Sequence, residues 1–166
     1  MGRRTVARLA VLAAAGTLGV AAAFAVTGPI LKVSHDASLG AIIVNGKGLT
    51  LYHVSSERAG KLSCTGNCLY FWFPVIVTAK TKIVVGAGLS KAKVGTIRRP
   101  NGALQLTYNK LPLYRYYLDR KPGQVKGQGV KDPAGTWYAV SSSGSVVTKR
   151  PATSTSSTTT TVGIGY

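Results

Sequence analysis

In Leu104, Leu106 and Tyr108 the apolar side chains fall two residues apart, the period of a half-buried strand. Beyond residue 26 no stretch shows the 3.6-residue period of a helix. Short runs of β-branched and aromatic residues instead flank two Asn-Gly pairs. Residues 41–44 and 49–54 surround Asn45-Gly46, and residues 96–99 and 103–108 surround Asn101-Gly102. Asn-Gly between such runs is a strong hairpin signal, because both turn positions need positive φ. A further run over 113–117 follows a turn at Asn109-Lys110, and 136–140 closes the set. Pro100, Pro112, Pro122 and Pro133 cut the second half too often for helices. The pattern predicts an all-β fold.

Both ends of the chain read differently from this middle. Residues 1–8 carry Arg3, Arg4 and Arg8 and no acid, and residues 9–26 are then apolar apart from Thr17. A basic start, an apolar run and the small-x-small triplet Ala23-Phe24-Ala25 are the parts of a secretory signal over 1–25. The apolar run is also close to membrane-spanning length, so an uncleaved N-terminal anchor is the alternative. Arg3-Arg4 fits the twin-arginine route poorly, and no cysteine near the leader's end is available for lipid attachment. From about Ser141 the chain turns rich in Ser and Thr. It cannot bury enough surface to offset its ordering entropy, so a disordered tail is expected over 142–166.

The middle repeats itself. Leu51-Tyr52 is followed by Glu57-Arg58, Gly60, Gly66 and Trp72; Leu113-Tyr114 is followed by Asp119-Arg120, Gly123, Gly129 and Trp137. One β unit is expected over 29–75 and a second over 96–141, with 76–95 as the connection. A lone hairpin is barely stable in water, so two tandem hairpin or meander units should pack as a small sandwich or barrel. The order of Leu-Tyr, acid, Cys64-Thr-Gly66-Asn-Cys68 and Trp72, then Tyr114-Arg-Tyr116-Tyr-Leu-Asp119, Gly127-Gln-Gly129 and Trp137-Tyr, resembles a bacterial family of secreted-repeat proteins. These are the predicted lipoproteins with a Tyr-x-aromatic-x-x-Asp motif, carried here by Tyr114, Tyr116 and Asp119, with Trp137 downstream. The resemblance covers about residues 38–141. Copy one departs from it in Tyr52-His-Val54 and Glu57, and Trp72-Phe-Pro74 stands where Trp-Pro-Pro is usual. The resemblance implies repeat architecture and an extracytoplasmic location; it lends no biochemical role.

Charge narrows the class of partner. Lys and Arg number 21 against four acids in 166 residues, for a net charge of +17. Without Arg3, Arg4 and Arg8, 18 basic residues against four acids still leave +14. A scattered positive field favours anionic surfaces without reading shape or sequence. Arg98, Arg99, Arg115, Arg120, Lys121 and Lys126 are the candidate contacts for an anionic wall polymer, polysaccharide or lipid surface. Export argues against nucleic acid as the partner.

Cys64 and Cys68 are even in number and four apart, which in an exported protein points to a structural disulfide. Closing so short a loop is worth about 2 kcal/mol in the chain-entropy picture. The alternative is an envelope redox or copper-type site using Cys64, Cys68 and His53. The tyrosines and tryptophans read first as cross-strand packing, and second as stacking surfaces for sugars or single-stranded nucleic acid. Glu57 and Asp119 each precede an Arg and a Gly turn, which suggests a turn hydrogen bond or a local ion pair. Neither has a second carboxylate near it in sequence, as a glycosidase pair requires. The serines lack a nucleophile-elbow setting, and Gly127-Gln-Gly129 has no following helix to make a phosphate loop. The expectation is a non-enzymatic protein of the cell envelope without a cofactor.

Overall fold

The computed structural model describes residues 30–57 and 60–149. The leader over 1–25 and the tail beyond 149 lie outside the described residues. Within them the chain is all-β, its sheets forming a curled half-barrel. No helix there is long and apolar enough to cross a membrane.

The chain starts with a hairpin of β1 (Leu31–Asp36) and β2 (Gly40–Asn45), paired from Leu31↔Asn45 to Asp36↔Gly40. β3 (Tyr52–Val54) follows the Asn45-Gly46 turn, where the Asn45 amide carbonyl accepts from the backbone N–H of Lys47 and Leu49 at 3.0 Å each. After a 3-10 turn at Gly66–Tyr70 come β4 (Trp72–Pro74) and β5 (Ile76–Val77). The second half supplies β6 (Val94–Arg98), β7 (Leu104–Tyr108), β8 (Leu111–Pro112), β9 (Tyr114–Tyr116), β10 (Lys131–Asp132) and β11 (Gly135–Ala139). The β7–β8 turn takes Asn109 and Lys110 to φ of 48° and 66°, the left-handed pair that a tight hairpin demands. Asn109 is held there by its side chain, which donates to Gly144 O at 2.9 Å.

The two halves are interleaved. The five-stranded sheet runs β10-β11-β3-β9-β4, so β3 of the first half lies between β11 and β9 of the second. β9 in turn lies between β3 and β4. The Leu-Tyr strands of the two copies meet at Tyr52↔Tyr114, and each pairs on its other side with the Trp strand of the opposite copy: Trp137↔Val54 and Trp72↔Tyr116. The second sheet joins β5, β7 and β6, with β8 on β7.

This arrangement explains the repeated Leu-Tyr pair. Successive strand residues point to opposite faces. Leu51 and Leu113 enter one core with Leu31, Ile43, Leu106 and Val140, while Tyr52 and Tyr114 enter another around Trp72 and Trp137. All four Leu and Tyr side chains are fully buried.

Two expected boundaries shift. The connection over 76–95 contains β5 and the first residues of β6, and residues 84–86 lie alongside β1 through Ile30 N to Val84 O and Gly86 N to Leu31 O, 2.8 Å each. The ordered chain also continues past Ser141. Ser142 N donates to Ala41 O and Val147 N to Ala139 O, both at 2.9 Å, and Val147 packs on the Trp-containing core.

Candidate functional site

The tyrosine of each half reaches the carboxylate of the other. Tyr52 Oη donates to Asp119 Oδ2 at 2.5 Å, and Tyr114 Oη donates to Glu57 Oε1 at 2.7 Å. Each carboxylate also closes its own loop: Asp119 Oδ1 accepts from Lys126 N, and Glu57 Oε1 from Ser63 N and Cys64 N, all at 3.0 Å. Burial, reinforced by the facing carboxylate, raises both hydroxyls far above the ordinary tyrosine value of 10. Burial also lifts the Asp119 carboxyl above its usual 3.8, against the opposing pull of the Tyr52 hydrogen bond and Lys126. The turn hydrogen bonds expected for Glu57 and Asp119 are present. Their tyrosine partners, 57 and 67 residues away, left no local trace in the sequence.

Between these pairs the two repeat tryptophans stack, with ring centroids 3.7 Å apart and planes within 8°. Tyr52 meets Trp72 edge-on at 73°, and Tyr114 meets Trp137 at 84°. Both indole N–H groups donate to Asp132 Oδ2, at 3.0 Å from Trp72 and 2.8 Å from Trp137. Asp132 Oδ1 accepts from Ala134 N and Gly135 N at 2.8 and 3.2 Å. Asp132 is thus the joint of the node, and sequence reasoning missed it. The family-motif residues Tyr114, Tyr116, Asp119 and Trp137 all belong to the node; Tyr116 lies 4.3 Å from the Trp72 ring. Gly127 is set by the same packing, since a Cβ there would come within 2.8 Å of Tyr52 Cζ and 3.0 Å of Trp72 Cη2.

Cys64 and Cys68 are joined as a disulfide. Cys64 is buried and Cys68 is half-buried. His53 is 3% exposed, with Nδ1 3.3 Å from Pro112 O and Nε2 3.1 Å from Glu57 O. Burial lowers its pKa below 6.5 in spite of those contacts. The alternative metal set of Cys64, Cys68 and His53 does not converge: the disulfide engages both sulfurs, and both ring nitrogens face backbone carbonyls. Among the described residues no group of three or more His, Cys, Asp or Glu side chains is placed to hold a metal.

Of the candidate cationic contacts, Arg120, Lys121 and Lys126 are exposed on one loop. Gln124 Oε1 shapes that loop by accepting from Arg120 N and Lys121 N at 2.7 and 3.0 Å. Thr50 Oγ1 donates to Gln124 O at 2.8 Å, and Pro122 sits against Gly48, where a Cβ would come within 3.1 Å of it. The exposed Lys47, missed in the sequence, is thereby brought beside the same loop. Arg98 is exposed on β6, and Arg115 lies over the Phe73 ring at 5.3 Å. Arg99 is a correction to the expected set. It is 4% exposed; its guanidinium donates to Gln105 Oε1, to Cys64 O at 2.8 Å and to Tyr114 Oη at 3.3 Å. It satisfies buried acceptors and is not offered to a partner.

A cleft of about 500 Å³ opens beside the disulfide. Thr65, Asn67, Cys68 and Phe71 form one wall and residues 132–134 the other. Ser56 ties the walls together, sharing a 2.5 Å hydrogen bond with Ser63 Oγ and donating to Ala134 O. Tyr70, next to the cleft, is 72% exposed and Phe71 49%.

Residues 95–141 match a family model described as a secreted repeat of unknown function. The matched stretch is the second repeat, and the description supports an extracytoplasmic location. No curated protein and no solved structure matches the chain.

Proposed function

We propose that the chain is an exported, non-enzymatic binding module that holds anionic polymers of the cell envelope through its exposed Lys and Arg side chains. One observation carries this reading: the opposite charges are kept apart. Asp36 accepts from Ser38 N, Ser38 Oγ and Leu39 N. Glu57, Asp119 and Asp132 accept from backbone, tyrosine and indole donors. Among the described residues none of the four carboxylates accepts from a Lys or Arg side chain. The acids are engaged by the fold's own donors, and the exposed cations, apart from Lys126 near Asp119, have no carboxylate partner among the described residues, which sustains a positive potential over the surface.

Lys47, Arg120, Lys121 and Lys126 are exposed together on one part of that surface. The same use of the acids supports a role without catalysis. General acid–base work needs a carboxyl or imidazole free to meet a substrate; Glu57, Asp119 and Asp132 are tied into the node, Asp36 into its own turn and His53 between carbonyls, which leaves His35 as the exposed imidazole. The test is the triple variant Lys47→Glu, Arg120→Glu, Lys121→Glu, compared with wild type for retention on purified anionic wall polymer. Retention should fall at least about tenfold with an unchanged melting temperature, because exposed side chains contribute little to folding. Equal retention would overturn the reading.

A second reading, thiol–disulfide exchange, is favoured by one feature: Cys68 lines the cleft while its partner Cys64 is buried. It requires that protein from its native compartment carry alkylatable thiols, and a fully alkylation-resistant pair would remove it.

A further inference from the structure

We infer that the cleft beside the disulfide is a subsite for a pyranose ring of an acidic glycan, an inference that rests on the anionic-polymer reading and names the polymer class. The cleft, at about 500 Å³, falls within the size range of small-ligand sites. Its chemistry is mixed in the way a sugar needs. Phe71 offers a half-exposed aromatic ring against the apolar C–H face of a sugar, while Thr65 and Asn67 supply hydroxyl and amide groups for the sugar's hydroxyls. Neither of those polar side chains is drawn into the aromatic–carboxylate node.

The walls are fixed before any ligand arrives. The Cys64–Cys68 disulfide and the 3-10 turn, with Cys68 N to Thr65 O at 3.2 Å and Phe71 N to Cys68 O at 3.1 Å, hold one side. Four hydrogen bonds to Asp132 hold the other. A preformed site avoids the ordering cost that weakens binding by flexible loops.

The preference for an acidic sugar comes from the surface that continues from the cleft. Phe73 pairs with Arg115 across β4 and β9, and Tyr117 N donates to Phe71 O at 2.9 Å. Phe73 and Arg115 share one face of this strand pair, two residues along from Phe71 and Tyr117, where Phe71 is in the αR conformation at the end of the 3-10 turn and the Tyr117 ring also meets Tyr116. Tyr117 braces Phe71 edge-on at 5.3 Å, and Arg115 covers Phe73. A second ring stacked along this platform would bring its carboxylate to Arg115. A lipid headgroup or a phosphate polymer would use the charge and leave the aromatic shelf unused.

The experiment compares the chain's affinity for a galacturonic acid oligomer with that for polyacrylate of matched carboxylate number, in wild type and Phe71→Ala. Phe71 is half exposed, so its truncation leaves the core intact. The wild type should bind the sugar oligomer about tenfold more tightly than polyacrylate, and Phe71→Ala should abolish that difference while leaving polyacrylate affinity unchanged. Equal binding of both polymers by the wild type would overturn the glycan inference and leave the electrostatic reading standing. A sugar preference that survives in Phe71→Ala would overturn the assignment to this cleft. Binding of neither polymer would overturn both.

Discussion

Replacing Asp132 with Asn changes one atom type and tests whether a single carboxylate joins the two repeats. A carboxylate has about four acceptor positions, and all are filled: two by the indole N–H groups of Trp72 and Trp137, two by backbone N–H of Ala134 and Gly135. Asn keeps one accepting oxygen. Its NH2 must then face either the two indoles or the two backbone donors, so two hydrogen bonds become donor–donor contacts whichever way it flips. Each donor stranded in partly buried surroundings costs about 1–3 kcal/mol. Because Asp132 is itself half-buried, the lower part of that range applies, for a total of about 2–4 kcal/mol. That is a large share of the roughly 5–15 kcal/mol that holds a domain together. Urea unfolding followed by tryptophan fluorescence should show the midpoint lowered by about 1–4 M at unchanged slope, taking a slope near 1–2 kcal/mol/M. A loss under about 0.5 kcal/mol, the level of an ordinary surface substitution, would refute the reasoning.

Three further outcomes follow from the same geometry. Gly127→Ala should destabilise by about 1–3 kcal/mol in the same urea assay, because its Cβ meets the Tyr52 and Trp72 rings at 2.8–3.0 Å in a packed core; an unchanged midpoint would show that the rings yield freely. Burial depresses the folded pKa of His53, so its contribution to stability is present above its ordinary 6.5 and is lost as pH falls through the lowered value. Urea midpoints should therefore decline on acidification below 6.5, partly offset by Asp119, whose raised value works in the opposite direction, and His53→Gln should flatten the decline; an identical pH profile in the variant would contradict this. A fragment of residues 95–149 lacks Glu57 for Tyr114, Trp72 for Trp137 and the β3 and β4 strands, so as a monomer it should show no cooperative thermal transition by circular dichroism.

The all-β class, the Asn101-Gly102 hairpin and the doubled Leu-Tyr landmark were legible because turn chemistry and strand period are local; at Asn45-Gly46 the chain does turn, with the positive φ at Gly48, but β2 pairs with β1 and a single bridge, Val44↔Thr50, joins it to the run that follows. β4 and β5 were not: they are two to three residues long and hold Pro74, tolerable because β4 lies at the sheet edge. Exchange of strands between repeats left no mark, since each copy reads the same whichever copy it pairs with. Arg99 was read as a surface cation, although it shares strand parity with Ile97 while Arg98 shares it with Thr96. That alternation was the available signal for its inward direction. The cleft joins two segments some 65 residues apart, a juxtaposition that only the folded chain displays.

The account's central claim is that exposed cations, left unneutralised because the acids are spent on the fold's own donors, bind anionic envelope polymer. The direct measurement is the dissociation constant for purified anionic wall polymer, titrated from about 50 to 500 mM sodium chloride, where the screening length falls from roughly 14 to 4 Å. The account predicts a linear rise of log Kd with log salt, amounting to more than about tenfold across the range. A Kd unchanged across that range would contradict it.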